Sequence, residues 1–104
     1  MFNELLLPVG SVVLLKGGEK RVVICGRIQM KNGDDKVYDY SACTFPEGIV
    51  DPGKMVFFNR DMIERVYFIG CQDAEELAYA SKIKEIGEFV VKDGKIVPKK
   101  DIEA

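Results

Sequence analysis

Short apolar runs separated by glycine-rich turns dominate the first two thirds of the chain. Val12–Leu15 is wholly apolar and follows Pro8 and Gly10, which predicts a short strand buried on both faces. From Arg21 to Lys31 apolar and polar residues alternate, and a period of two predicts a longer strand with one face on the core. Gly26 interrupts this strand and predicts a bulge or bend, because glycine weakens a regular strand.

The alternation assigns the two faces of this long strand. The residues predicted to face the core are Val22, Ile24, Gly26, Ile28 and Met30. The residues predicted on the polar face are Arg21, Arg27, Gln29 and Lys31. We therefore expect the side chain of Arg27 to project away from the core.

A tight turn leads into a returning strand. Asn32-Gly33 is a hairpin turn sequence, and residues 37–43 return as a strand with Tyr38 and Tyr40 on the same face. Two prolines and two glycines interrupt residues 44–54. This composition predicts an ordered loop rather than a central strand.

The last third of the chain predicts short strands followed by a helix. Residues 55–58 and 64–70 are typical of strands, joined by a helical turn over 60–63 that Asn59 caps. Asp73 and Glu76 form a capping box at the start of a helix that runs to about Gly87. The apolar side of this helix is predicted to be Leu77, Ala80, Ile83 and Ile86. Residues 89–98 predict a hairpin around an Asp-Gly turn or, alternatively, an end that frays.

Together these elements predict an α+β fold. The architecture is either a small curled antiparallel sheet or an SH3-like barrel, with about five strands and one C-terminal helix. A length of 104 residues suits a single domain over residues 1–104. Residues 89–104 are then a terminal hairpin or a frayed tail of that domain.

The charge balance argues against a polyanionic partner. The formal net charge is −2, whereas a nucleic-acid-binding domain normally carries a basic stripe. Residues 1–43 hold six Lys/Arg against five Asp/Glu, and residues 44–104 hold nine against twelve. The start of the chain is acidic, and no apolar run approaches the ~20 residues of a membrane span. We therefore expect a cytoplasmic protein with neither a membrane nor a nucleic acid as its main partner.

Residues that carry catalytic chemistry are sparse. The chain has no histidine, and Cys25, Cys43 and Cys71 lack the spacing of a zinc site or a disulfide framework. All three cysteines are expected to be buried as small hydrophobic residues. The Gly17-Gly18 pair joins two strands and lacks the rest of a phosphate-binding loop. The sequence therefore predicts a non-enzymatic protein without catalytic residues, a cofactor or a metal site.

Aromatic residues around the interrupted loop are the best candidates for a functional surface. They form either the core of a small domain or a surface that binds a partner. The predicted partner-binding residues, expected to be neighbours in space, are Tyr38, Tyr40, Phe45, Pro46 and Glu47. Within this set Tyr40 is expected to contribute to the core and Phe45 to the interface. A further alternative is a basic and aromatic face for single-stranded nucleic acid, formed with Arg21, Arg27 and Lys31.

Five sequence segments carry a resemblance to a known family. These segments are Leu5–Gly18, Ile24–Arg27, Tyr38–Tyr40, Phe45–Gly48 and Val66–Gly70. Together they resemble the domain-of-unknown-function family four-one-seven-six, which is encoded near type VII secretion and LXG-toxin genes of Gram-positive bacteria. The family offers no established catalytic residues.

The resemblance implies a cytoplasmic accessory factor, acting as a chaperone or targeting partner of a secreted toxin. The alternative is an SH3-like adaptor or regulatory module that binds another cytoplasmic protein or a nucleic acid. The sequence leaves the oligomeric state open.

Overall fold

Seven strands and two helices make up the part of the chain that the computed structural model describes, residues 5–103. The strands are β1 (Val12–Leu15), β2 (Val22–Met30), β3 (Val37–Thr44), β4 (Val56–Phe58), β5 (Ile63–Phe68), β6 (Phe89–Lys92) and β7 (Lys95–Pro98). The helices are α1 (Ala74–Ile86) and the short α2 (Lys99–Glu103). Short 3-10 turns lie at Pro52–Lys54 and Arg60–Met62.

Five strands form one antiparallel sheet in the order β4-β3-β2-β1-β5. Strands β4 and β5 are its two edges, so the sheet is open and is not a closed barrel. Strand β1 joins distant parts of the chain, because Val13 lies opposite both Val22 of β2 and Val66 of β5. The predicted α+β fold is confirmed in its sheet form, with a second sheet formed by β6 and β7.

A bulge at Cys25 redirects the second half of β2. Ile24 lies opposite Ala42, but Gly26 lies opposite Ser41, so Cys25 is an extra residue in the ladder. One inserted residue reverses the alternation of side chains. Arg27 therefore lies opposite the buried Tyr40, and its side chain is only 7% exposed. The bulge predicted at Gly26 is present, and the predicted outward orientation of Arg27 is wrong because of that same bulge.

The core lies between the sheet and α1. Its buried residues are Leu6, Leu7, Val13, Val22, Ile24, Tyr40, Ala42, Phe58 and Ile83. The Tyr40 ring packs on Phe58 with a centroid separation of 5.3 Å. The Tyr40 hydroxyl accepts a hydrogen bond of 2.8 Å from the backbone N–H of Leu7. This bond ties the segment before β1 to the middle of β3.

Helix α1 begins and ends as its sequence predicts, and its predicted apolar side faces the core except at Leu77. The Asp73 side chain accepts a hydrogen bond from the Glu76 N–H, and Gly87 follows the last turn. Ala80 and Ile83 are buried, whereas Leu77 is 46% exposed. Leu77 was predicted on the apolar side, and that assignment is wrong.

Two further details differ from the sequence-based expectations. Asn59 precedes the 3-10 turn but does not cap it. Its Oδ1 instead accepts a hydrogen bond from the backbone N–H of Asp39. Residues 89–98 form the hairpin of β6 and β7, and Asp93 and Gly94 at its turn both have positive φ. That pair of angles matches the hairpin turns which favour Asp-Gly.

Candidate functional site

The residues predicted to bind a partner lie at different ends of β3. Tyr38 is the second residue of β3, and Phe45 follows its last residue. At about 3.3 Å per residue, a strand places residues seven positions apart roughly 20 Å from each other. The expectation that Tyr38, Tyr40 and the loop from Phe45 to Glu47 are close neighbours is therefore wrong.

Each of these residues has its own surroundings. Tyr40 is 1% exposed and belongs to the core. The Tyr38 ring packs on Phe57, and its hydroxyl donates a 2.9 Å hydrogen bond to Asp34. That hydrogen bond lowers the pKa of the Asp34 carboxyl and raises the pKa of Tyr38. Phe45 is half-buried, whereas Pro46 and Glu47 are exposed.

Phe45 contributes instead to a stack with cationic side chains. The Arg21 guanidinium lies 4.9 Å from the Phe45 ring centroid and 5.0 Å from the Tyr67 ring centroid. On the other side, the Arg65 guanidinium lies 5.8 Å from the Tyr67 ring. Lys20 forms an exposed ion pair of 2.9 Å with Glu47. Arg27 takes no part in this surface, so the predicted face of Arg21, Arg27 and Lys31 does not form.

Several exposed apolar residues lie on the segments that meet at the junction of β5 and α1. Among residues 5–103, ten large hydrophobic residues are exposed. Half of them lie on these segments and form what we call the apolar patch: Val9, Phe68, Ile69, Leu77 and Tyr79. Ile69 and Leu77 line one groove, and Val9 and Tyr79 line a neighbouring pocket. The sequence analysis missed this patch, because it placed Leu77 on the apolar side of α1 and assigned no face to the other four residues.

Two backbone segments hold the patch in place. Ser11 is fully buried, and its Oγ accepts a 3.0 Å hydrogen bond from the N–H of Gly70. A side chain at position 70 would collide with the carbonyl oxygen of Val9, so only glycine fits between the segments. Phe68 lies opposite Val12 in the sheet. The start of β1 and the end of β5 are thus fixed side by side.

An apolar groove runs beside the patch. Its volume is about 310 Å³. The groove is lined on one side by residues 5–8 and on the other by Ile69, Gln72, Glu76, Leu77 and Ala80. Apolar side chains predominate in this lining, which gives the groove the character of a hydrophobic docking site.

A buried ion pair fixes α1 next to this groove. The two Nη atoms of Arg27 donate to the two carboxylate oxygens of Glu76 at 2.6 and 2.7 Å. The guanidinium also lies 4.8 Å from the ring of Tyr79. The side chains of Arg27 and Glu76 are 7% and 14% exposed. Paired and stacked in this way, Arg27 links β2 to the first half of α1.

A second cavity, of about 550 Å³, lies at the other end of α1. The apolar residues in its walls include Leu6, Ile28, Ile83 and Phe89. Asp39 and Arg60, which also line it, form an ion pair of 3.3 Å. The lining of this cavity is therefore a mixture of apolar and charged side chains.

Within residues 5–103 the structure has neither a metal-binding cluster nor a membrane-spanning helix. No group of three or more His, Cys, Asp or Glu side chains in that range is arranged to hold a metal ion. Neither α1 nor α2 is both long enough and apolar enough to cross a membrane.

Comparison with known proteins assigns the family. A family model described as a domain of unknown function, DUF4176, matches residues 6–79. No curated protein and no solved structure matches the chain. The match begins in the segment that lines the groove and ends at Tyr79, so it contains the whole apolar patch. This chain belongs to the DUF4176 family of domains of unknown function.

Proposed function

We propose that this chain is a non-enzymatic cytoplasmic accessory protein that binds an LXG-type toxin of type VII secretion before export, as a chaperone or targeting partner. The apolar patch beside α1 is the observation that carries this proposal. The family resemblance motivates the choice of a secreted toxin as the partner.

The size and composition of the patch support binding to a protein. Two aromatic and three aliphatic side chains are exposed on the segments around the junction of β5 and α1, in a chain of 104 residues. Clusters of exposed apolar side chains are uncommon on soluble monomers, and aromatic residues are enriched at protein interfaces. Packing this patch against a partner would remove its apolar area from water.

The adjacent groove favours a helical segment as the bound element. A helix presents apolar side chains at positions i, i+3 or i+4 and i+7, and it buries them in grooves of this kind. Asp73 and Glu75 are exposed at the start of α1, next to the groove. We therefore expect the toxin helix to carry basic residues beside its apolar stripe, because opposite charges at the rim speed association.

Co-expression with the toxin encoded beside this gene tests the proposal. A tag on one partner should capture the other. Leu77→Glu places a charge in the patch and should reduce the captured toxin by at least roughly tenfold, as expected for a residue at an interface centre. Ile102→Glu is the matched control, since Ile102 is 45% exposed against 46% for Leu77 but lies in α2. The control should capture toxin as the wild type does.

Phe45→Ala separates this interface from the one that the sequence predicts. If Phe45→Ala abolishes capture while Leu77→Glu retains it, the partner binds the loop after β3 and the patch proposal is wrong. Failure of every neighbouring secreted protein to co-purify would contradict the toxin-partner role itself.

The alternative function is an adaptor that binds a nucleic acid or another cytoplasmic protein. A stack of side chains favours this alternative, in which Arg21 contacts the rings of Phe45 and Tyr67 and Arg65 contacts the ring of Tyr67. Stacked aromatic and arginine side chains are typical of surfaces that bind single-stranded nucleic acid.

A further inference from the structure

Two thiols lie in contact on neighbouring strands. The Sγ atoms of Cys25 and Cys43 are 3.2 Å apart. Cys25 is the extra residue of the β2 bulge, and Cys43 lies on β3 opposite Val23. The bulge therefore brings the Cys25 side chain next to that of Cys43. Both are free thiols, as is Cys71, which is exposed.

We propose that Cys25 and Cys43 form a reversible intrachain disulfide when the protein meets an oxidising low-molecular-weight disulfide. Cys43 lies opposite Val23 rather than Cys25, so the contact between the two sulfur atoms, and not the strand spacing, indicates that a bond can form. The two sulfur atoms need to approach by only about 1 Å to reach bonding distance. This inference is independent of the toxin-binding function.

The reaction is a thiol–disulfide exchange in two steps. In the first, one protein thiolate attacks a sulfur atom of the reagent, which breaks the reagent's S–S bond, forms a mixed disulfide and releases one small thiol. In the second, the other protein thiolate attacks the protein sulfur of that mixed disulfide and releases the second small thiol. The two protons lost by the cysteines end on the released thiols. Two electrons pass from the protein to the reagent.

A route to the pair exists on the β3 side. Cys43 lines a cavity of about 510 Å³ whose other walls are Thr44, the loop residues Gly48 to Asp51, Lys54 and Met55. A small disulfide can approach Cys43 from this cavity, with Cys25 in contact behind it. Burial is the main reason that the pKa of Cys25 is raised to about 11, with the hydrogen-bonding Cys43 thiol adding to it. Because the thiolate is the attacking species, oxidation should be faster at alkaline pH than at neutral pH.

Cys71→Ser is the protein variant to test, because it removes the exposed thiol and with it any pairing through that residue. The folded variant is incubated with oxidised glutathione at mildly alkaline pH, and its intact mass is measured. The expected product has lost the mass of two hydrogen atoms, carries no glutathione and returns to the original mass with reductant. Because the new bond closes the loop between the two strands, the melting temperature should rise on the order of 10 °C.

Variants that lack one thiol supply the controls. Cys71→Ser combined with Cys25→Ser or with Cys43→Ser should give at most a glutathione adduct. Peptide mapping of the oxidised wild-type protein should place the disulfide between Cys25 and Cys43, even with Cys71 present. The same oxidation is carried out on the variant unfolded in urea. The inference is overturned if this unfolded chain forms the disulfide while the folded chain keeps both thiols or stops at the glutathione adduct. It is equally overturned if mapping finds Cys71 in the bond.

Discussion

Tyr40 connects three segments of the chain through a single side chain. Its ring packs on Phe58 of β4, its backbone belongs to β3, and its hydroxyl accepts the N–H of Leu7. Both the ring and the hydroxyl are buried. A buried tyrosine whose oxygen has a partner combines a large apolar contact with a satisfied hydrogen bond.

Tyr40→Phe keeps the ring and removes the hydroxyl. The N–H of Leu7 then stays buried without a partner, which costs about 1–3 kcal/mol. We expect the free energy of unfolding, measured by urea denaturation, to fall by that amount. Tyr38→Phe is the matched control, because its hydroxyl donates to Asp34 and its removal leaves no buried backbone N–H unpaired, so its loss should be clearly smaller. Equal losses in the two variants would contradict the role assigned to Tyr40.

The stability that Tyr40 contributes should also depend on pH. Burial raises the pKa of Tyr40 above its ordinary value. The unfolded chain therefore releases the tyrosine proton first, at a pH of about 10. The difference in free energy of unfolding between the wild type and Tyr40→Phe should have its full value below that pH. It should shrink as the pH rises toward the pKa of Tyr40 in the folded protein. A difference that stays constant above pH 10 would show that Tyr40 titrates normally.

At the scale of elements, the pair of Arg27 and Glu76 joins β2 to α1. Each side chain is mostly buried, and the contact is bidentate. Removing one partner of a buried pair leaves the other charge without compensation, which costs on the order of 3–5 kcal/mol. Replacing both partners by apolar residues of similar size is far less costly, since no charge is then left in the interior.

A double-mutant cycle measures this coupling. Arg27→Met and Glu76→Gln should each lower the free energy of unfolding by about 3 kcal/mol, and the combined variant should lose much less than their sum. Lys20→Ala and Glu47→Ala form the control cycle, because that ion pair is half exposed and should couple by less than about 1 kcal/mol. Additive losses for Arg27 and Glu76 would mean that the pair does not hold α1 in place.

At the scale of the whole molecule, the distribution of charge separates the two proposed functions. The net charge is −2, and the apolar patch contains no charged residue. Binding through such a patch should depend little on salt, whereas binding through phosphates releases counterions and weakens steeply.

Titrations at two ionic strengths test this difference. A fourfold rise in salt should weaken toxin binding only slightly, because the exposed Asp73 and Glu75 are the charges whose attraction the salt screens. Three phosphate contacts to a single strand would weaken binding about twentyfold over the same range. A single-stranded oligonucleotide is the comparison ligand. If it binds tightly with a steep salt slope while the toxin does not bind, the adaptor alternative replaces the toxin-partner proposal.

The sequence by itself determined the local elements of this protein. The alternation of apolar and polar residues predicts β2, and an Asp-Gly pair predicts the turn between β6 and β7. Asp73 predicts the start of α1. Each of these signals lies within a few consecutive residues, where backbone preference and side-chain period act directly. The bulge at Gly26 was also visible, because glycine in a strand has a local cost.

Which residues meet depends on how the elements pack in three dimensions. The bulge turned Arg27 inward, where it pairs with Glu76 of α1, while the next residue, Leu77, is exposed. Pairing of β1 with β5 brought the Gly70 region beside Ser11, 59 residues away in sequence. The apolar patch and the contact of Cys25 with Cys43 follow from such pairings. They depend on how the whole core packs. The spacing of apolar residues along one strand or helix does not indicate which other element it will pack against.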